Sequence, residues 1–336
     1  MRAVRIHRKQ DLRVDDVAPP VPGPRQLVVE PAFVGICGSD LHYLSDGAAG
    51  IFRIAEPLIP GHETAGVVAE DPTGTHAVGT RVAVHPATWG PACDSQSHGN
   101  RHTWPGGSFL GSASTTPHTQ GAMAERLVVD VDQVRPLPDD LPLRRAALAE
   151  PLAVGLHALV IAGGIEGKRV LVSGAGPIGL LAAGAALAQG AESVWCADVR
   201  DAPLRRASAL GCDGVLNVST DRIPESAFDV TLECAGVPES LHALLLATRR
   251  GGVLVQVGNV PNQSREVNLA PIVSKEIQLR GTFRFDTEID DAIALLATSP
   301  QLEGVITHEH TLENSAEAFA VAADSDASGK VLIRIG

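Results

Sequence analysis

"VLVSGAGPIGLLAAG", residues 170–184, passes from a β-branched apolar run through a glycine-rich turn into a leucine- and alanine-rich stretch. Gly174, Gly176 and Gly179 stand at G-x-G-x-x-G spacing where strand texture gives way to helix texture. In that setting the first glycine permits a tight turn, and the second lets backbone approach a pyrophosphate. The third lets helix pack on strand, and the helix N-terminus faces the phosphates with its partial positive charge. Pro177 and Ile178, between the second and third glycines, complete this cofactor-binding turn. Asp198 closes the next strand pattern, at the distance where a carboxylate accepts hydrogen bonds from an adenosine ribose. A glycine-rich turn that binds nothing is the plainer alternative, and Asp198 argues against it. The same carboxylate repels a 2′-phosphate, so NAD is expected over NADP. Arg200 would soften that preference, although an exposed strand-end arginine is the simpler account of it.

Outward from this turn, strand and helix patterns alternate. Strands read at "RVLVSG", "SVWCAD", "GVLNV", "DVTLECAG", "GVLVQVG" and "IQLRGTF", with helices such as "PIGLLAAGAALAQG", "APLRRASALG" and "VPESLHALLLATRRGG" between them. Alternation of this kind predicts a parallel sheet with helices on both faces, the α/β doubly wound Rossmann arrangement. Before residue 141 the texture differs: short β-patterned runs such as "RQLVVEPAFVGI" and "TRVAVHP", separated by Pro- and Gly-rich turns, predict an irregular β-rich domain. The tail "LENSAEAFAVAADSDASGKVLIRIG" predicts a helix, a polar turn and a last strand.

The bulk numbers agree with two domains. The chain has 336 residues, too many for one ordinary core, with 44% hydrophobic and 20% charged residues. A net charge of −12 argues against nucleic acid or an anionic membrane as partners. Five scattered cysteines do not suggest a disulfide framework, and with no apolar leader at the N-terminus they point to the cytoplasm. The uncharged run from Val170 to Ala191 invites a membrane reading, but its glycines and Pro177 suit a strand, a turn and a helix start.

Metal-ligand chemistry collects in the β-rich half. "VGICGSDLHY" and "IPGHETAG" supply Cys37, His62 and Glu63, and "ALAEPLAVGLHAL" adds Glu150. Zinc takes thiolate, imidazole and carboxylate, and a catalytic site keeps one position open. Each residue also has a plain explanation: a small buried hydrophobe, a turn histidine, a carboxylate at a helix start.

"GICGSDLHY", "PGHETAGVV", "TRVAVHPAT" and "EPLAVGLHAL", followed by "VLVSGAGPIGLLAA", together resemble the zinc-dependent medium-chain alcohol and polyol dehydrogenases, in the family's order and over nearly the whole chain. That resemblance implies a split catalytic domain with a chaperonin-10-like (GroES-like) β fold at 1–150 and 286–336. A Rossmann NAD-binding domain is inserted at 151–285, with the active site in the cleft between the domains. It places Cys37, His62 and Glu63 at one catalytic zinc, with Glu150 a direct ligand or one reached through water. It makes Ser39 and His42 a proton relay, Ser39 taking the substrate's proton and His42 passing it toward solvent after the ribose hydroxyl. It makes Val257 a cofactor-binding residue and puts backbone of "LRGTFRF", with Phe283, at the nicotinamide amide. Tyr43 and Arg284 fall in the substrate pocket, Tyr43 being equally plausible as packing. The family's glycine-rich signature after "GHE" is shortened here to "AEDPTGTHAVGT", which reads as a trimmed surface loop.

Family members commonly carry a second, structural zinc on four cysteines. Laid on this chain, the spacing falls on Gly90, Cys93, Gln96 and Trp104, and only Cys93 is a thiol. Four-thiolate coordination cannot persist on one thiolate. Cys93, His98 and His102 as a rebuilt site lack a fourth ligand, so no structural zinc is expected, and Trp104 would fill part of the vacated space.

Within the family, "SFLGSASTTPHTQGAMAERLVV" and "HYLSDGAAGIFRI" look most like the branch that oxidises the sugar acid L-idonate to 5-keto-D-gluconate. A carboxylate substrate needs a cation, and Arg53, His118 and Arg284 are the candidates. A neutral polyol of the sorbitol or xylitol type is the second reading, and L-threonine the third. A dinucleotide-binding structural or redox-sensing module without turnover stands as the reading from another class. Self-association as a dimer or tetramer through "VLVQVG" and "IQLRGTF" is expected from the family.

Overall fold

A computed structural model describes residues 1–90, 100–260 and 264–336. The chain divides into two compact units, one comprising Met1–Glu150, Ala292–Asp324 and Lys330–Gly336, the other Pro151–Asp291 and Ser325–Gly329.

The first unit is built on a seven-stranded sheet. Its long central strand, Gln26–Gly35, pairs antiparallel with Glu63–Glu70 on one side. On the other it pairs with Leu127–Asp130 and then Lys330–Arg334. Ile306–Thr311 lies parallel outside Lys330–Arg334, so the last strand in sequence is interior to a sheet whose first strand is Gln26–Gly35. Alternating Val, Leu and Ile side chains of these strands close on Leu58, Met123 and Phe319 in one buried cluster. Two close approaches depend on glycine. A Cβ on Gly66 would meet Glu30 O at 2.1 Å, and one on Gly35 would meet Glu63 Oε2 at 2.0 Å.

The second unit carries six parallel strands in the order Gly214–Asn217, Ser193–Asp198, Arg169–Ser173, Phe228–Glu233, Thr248–Gln256, Gln278–Gly281. The first strand in sequence is thus third in space, and the order reverses beside it, as in doubly wound dinucleotide folds. All six strand patterns read from the sequence appear. One helix is shorter than its pattern: "VPESLHALLLATRRGG" is helical only over Pro238–Ala247. Thr248 turns its hydroxyl back to Leu244 O at 2.6 Å and across to Thr231 Oγ1 at 2.8 Å, so the chain leaves the helix and enters the sheet at once.

The units change over at Ala292, inside the helix Glu288–Thr298, not at residue 286. The start of this helix is tied into the second unit by Glu288, whose Oε1 lies 2.7 Å from His157 Nδ1. Burial pushes the Glu288 carboxyl up, but His157 and the backbone N–H groups outweigh it and hold the acid down at about 2. Ser325–Gly329 joins the second unit because the Arg206 guanidinium donates to Ser325 O at 2.7 Å and Ser328 O at 2.8 Å. No helix of the described residues is long and apolar enough to cross a membrane, and the run Val170–Ala191 is a strand, a turn and the helix Pro177–Ala188.

Candidate active site

Within the first unit, Cys37, His62 and Glu63 bring one ligand atom each to within 4.8 Å of one another, although Cys37 and His62 stand 25 positions apart in sequence. Cys37 caps the helix Gly38–Asp46, and Glu63 opens the strand Glu63–Glu70 opposite Gly35. Asp40, buried beneath, ties the two loops: it accepts from Cys37 N at 2.9 Å and from Gly61 N at 3.1 Å. Gly61 itself has φ +95°, a left-handed conformation that lets His62 and Glu63 follow directly.

Glu63 divides its two oxygens. Oε1 accepts from Lys330 Nζ at 2.6 Å, while Lys330 also donates to Ile36 O at 3.0 Å. Oε2 is buried without a hydrogen-bond partner among the described residues, and so is His62 Nδ1. Glu150, in the first turn of Ala149–Ile161, lies outside the 4.8 Å triangle but interacts electrostatically with all three of its members. Burial, and then Glu63, pushes the Cys37 thiol up to about 11. Burial raises the Glu150 carboxyl to about 8 against the pull of His62. Lys330 is held above its ordinary value despite its burial, because Glu63, Cys37 and Glu150 surround it. A thiol, an imidazole and two carboxyls buried together with one ammonium are short of positive charge, and a dication would oppose the shifts at Cys37 and Glu150. Soft, borderline and hard donors with orphaned buried atoms fit zinc.

Ser39 and His42 sit one turn apart on the helix that Cys37 caps. Ser39 is half-buried and hydrogen-bonded to the Cys37 thiol, whereas His42 is exposed, with Nδ1 3.2 Å from Asp46 Oδ2. Tyr43 is buried in the core cluster, its hydroxyl accepting from Ala113 N at 3.0 Å. His118 uses both ring nitrogens on backbone: Nε2 accepts from Ala55 N at 2.9 Å and Nδ1 faces Thr115 O at 2.8 Å. Arg53 is exposed on the short strand Phe52–Arg53.

In the second unit the three glycines divide their work. Gly174 has φ +95°, and a Cβ there would lie 2.6 Å from Ala235 N. A Cβ on Gly179 would meet Gly174 O at 1.9 Å, so the helix packs onto its own turn. A Cβ on Gly176 would meet nothing within 4 Å: this glycine faces open space just where Pro177–Ala188 begins with no side-chain cap. Unused N–H donors at an open helix start suit a pyrophosphate. Asp198 Oδ2 accepts from Ala175 N at 2.9 Å and Oδ1 from Arg200 N at 3.1 Å. The Arg200 side chain turns toward Asp326, 3.8 Å away. Val257 is half-buried and donates its N–H to Glu233 O at 2.8 Å. Phe283 is exposed under the Arg284 guanidinium, 4.8 Å from the ring centroid, and Arg284 has φ +53°.

Three residues of these sites were given no role by the sequence reading, although Asp40 stands within "GICGSDLHY". Asp40 and Lys330 serve Glu63 and its loop. Glu233 accepts from Ala235 N at 3.1 Å and Gly236 N at 3.0 Å, holding the turn that crowds Gly174. The signal for Glu233 was a carboxylate closing the apolar strand "DVTLE"; for Lys330 a lone lysine opening "VLIRI" was too little. Cys93, Gln96 and His98 of the lobe lie outside the described residues; of its other positions, His102 is buried and Trp104 half-buried.

Comparison with known proteins agrees with this fold. The alcohol dehydrogenase GroES-like domain matches residues 23–139, and the zinc-binding dehydrogenase domain matches residues 177–298. L-idonate 5-dehydrogenase (NAD(P)(+)) of Escherichia coli is 36% identical over 88% of each chain. Sorbitol dehydrogenase of Gallus gallus is 35% identical over 94% of this chain and 92% of its own. The crystal structure of the Escherichia coli L-idonate 5-dehydrogenase superposes with a TM-score of 0.94 over 99% of this chain and 98% of that one. With a soft-and-hard donor triangle in a GroES-like unit and a glycine cradle in a doubly wound one, the chain belongs to the zinc-dependent alcohol and polyol dehydrogenase family.

Proposed function

We propose that this protein oxidises a secondary hydroxyl of a sugar acid, L-idonate to 5-keto-D-gluconate, with NAD and one zinc held by Cys37, His62 and Glu63. The triangle of these three ligands, two of them with orphaned buried atoms, carries the reading. When bound, zinc polarises the substrate oxygen and the dinucleotide accepts hydride. The chain's own residues do the rest. Cys37, His62 and Glu63 fix the ion's place, Lys330 and Asp40 hold those ligands still, and Glu150 waits beyond them as a further carboxylate. Ser39, half-buried beside the Cys37 thiol, takes the substrate's proton, and exposed His42 on the next turn delivers it to water. Arg53 and Arg284 are the cations offered to the substrate carboxylate; His118, with both ring nitrogens on backbone, and Tyr43, buried with its hydroxyl on Ala113 N, serve packing instead. One zinc per chain is expected, since the lobe keeps a single cysteine.

The sugar-acid assignment leans on the likeness to L-idonate 5-dehydrogenase. A neutral polyol is the second reading, because the sorbitol dehydrogenase is 35% identical over more of the chain. A screen of L-idonate, related sugar acids, sorbitol, xylitol and L-threonine, each with NAD and NADP, separates them. The proposal expects kcat/KM highest for L-idonate with NAD; a polyol preferred over every acid overturns it.

Asp198 gives a sharper check on the cofactor. Losing a hydrogen-bonding carboxylate is worth about 1.5–3 kcal/mol, roughly 10–100-fold. Asp198→Ala should lower kcat/KM for NAD by that factor and that for NADP much less. Asp198→Asn keeps an acceptor for Ala175 N and should relax the preference with a smaller total loss. An unchanged NAD-to-NADP ratio in both variants sinks this reading of the carboxylate.

Assembly and location follow the same proposal. Gln278–Gly281 is an edge strand with Leu279 exposed, and Val273 nearby in sequence is 83% exposed, which supports pairing with a second copy. The four described cysteines are free thiols, in keeping with a reducing cytoplasm.

A further inference from the structure

Two cysteines that no step of the dehydrogenase reaction uses lie side by side in the second unit. Cys196 is on the interior strand Ser193–Asp198, fully buried; Cys212 follows the helix Asp201–Leu210 and the left-handed Gly211, partly exposed. Their sulfurs are 3.6 Å apart. Hydrogen bonds between Val194 and Asp213, one backbone and one to the Asp213 carboxylate, fix this approach. Asp213 N donates to Val194 O at 2.8 Å, and Val194 N donates to Asp213 Oδ2 at 2.8 Å. Cys212 N is bound in turn to Ala207 O. The two sulfurs therefore meet across a rigid strand-to-turn junction, not by the drift of a loose loop.

We propose that Cys196 and Cys212 form a reversible intramolecular disulfide in which Cys212 is the residue oxidised first and Cys196 the resolving thiol. A disulfide needs its sulfurs about 2.05 Å apart, so they must close by about 1.5 Å, within reach of small rotations about the Cα–Cβ bonds. Exposure assigns the roles: an oxidant can approach Cys212, while Cys196 is fully buried. The hydrogen bond from Cys196 draws the Cys212 thiol below its ordinary value, and the same bond together with burial keeps the proton on Cys196. The oxidant is a hydroperoxide. The Cys212 thiolate attacks its terminal oxygen, breaking the O–O bond to give Cys212 sulfenic acid and, with one proton, the corresponding alcohol or water. The Cys196 sulfur then attacks the Cys212 sulfur, the S–O bond breaks, and the hydroxide leaves as water with the Cys196 proton. Two thiols lose two electrons, and one peroxide gains them.

The test treats the zinc- and NAD-loaded protein with hydrogen peroxide, blocks remaining thiols by alkylation, and maps peptides without reduction. The expected result is a cross-linked pair of peptides holding Cys196 and Cys212 in most chains, restored to two thiols by dithiothreitol. Cys196→Ser should stop at a Cys212 sulfenic acid that dimedone traps, and Cys212→Ser should leave Cys196 alkylatable. The proposal is overturned if both cysteines stay alkylatable under peroxide that oxidises free glutathione. It is overturned equally if Cys212 proceeds to sulfinic acid with Cys196 intact, or if the cross-link joins either one to Cys93 or Cys234. The map of the parent protein decides the matter even where a variant does not fold.

Discussion

Cys37→Ser is expected to give a folded chain that has lost its zinc and, with it, at least 1,000-fold of its turnover. The thiolate is the softest of the three ligands, and a serine hydroxyl, uncharged at neutral pH, replaces it poorly. Folding should survive, because what Cys37 gives the fold is backbone: its N–H donates to Asp40 Oδ2 and its carbonyl accepts from Asp40 N and Leu41 N. Serine is, besides, a favoured residue at a helix N-cap. Elemental analysis should fall from about one zinc per chain to near none. Thermal stability should stay within about 1 kcal/mol of the chelator-treated parent. Full NADH formation from a serine variant devoid of zinc would refute the ligand set.

Lys330→Met should cost about 3–5 kcal/mol of stability in the zinc-stripped protein, the penalty of leaving a buried carboxylate without its partner. Lys330 and Glu63 are both buried, 2.6 Å apart, and the ammonium has no alternative acid at that distance among the described residues. Glu63→Gln removes the charge from the other side. If the pair acts as a unit, the double variant Lys330→Met/Glu63→Gln is more stable than the sum of the single losses by about 1–3 kcal/mol. Lys330→Arg should recover part of the loss, limited by the larger guanidinium. Zinc added back to Lys330→Met should restore a greater share of stability than it adds to the parent, because a cation returns beside Glu63. Urea unfolding with and without zinc measures all of these. Strict additivity of the two single variants would show that the contact carries no coupling.

The candidate ligands were legible in the chain through short motifs that resemble the family's. Cys37 stands beside the helix it caps, and His62 and Glu63 are adjacent, so short motifs carry them. The glycine turn was readable for the same reason: each glycine answers to a contact within its own turn or the neighbouring strand. Lys330 was not. It reaches Glu63 only because the last strand is laid against Gln26–Gly35, 267 positions of sequence away from its partner. Nothing in "GKVLIRIG" marks that lysine as buried. The end of the helix Pro238–Ala247 was also hidden, since its apolar period continues while the Thr248 hydroxyl closes it through Leu244 and Thr231.

By itself, then, the sequence determined the parallel sheet and the glycine-rich turn and offered Cys37, His62 and Glu63 as candidate donors, because periodicity and short motifs act over a few residues. Only the tertiary structure decided which buried charge answers Glu63, where one unit yields to the other inside a helix, and that Cys196 faces Cys212. Those are outcomes of strand order and packing, and strand order brings together residues whose separation along the chain holds no record of their meeting.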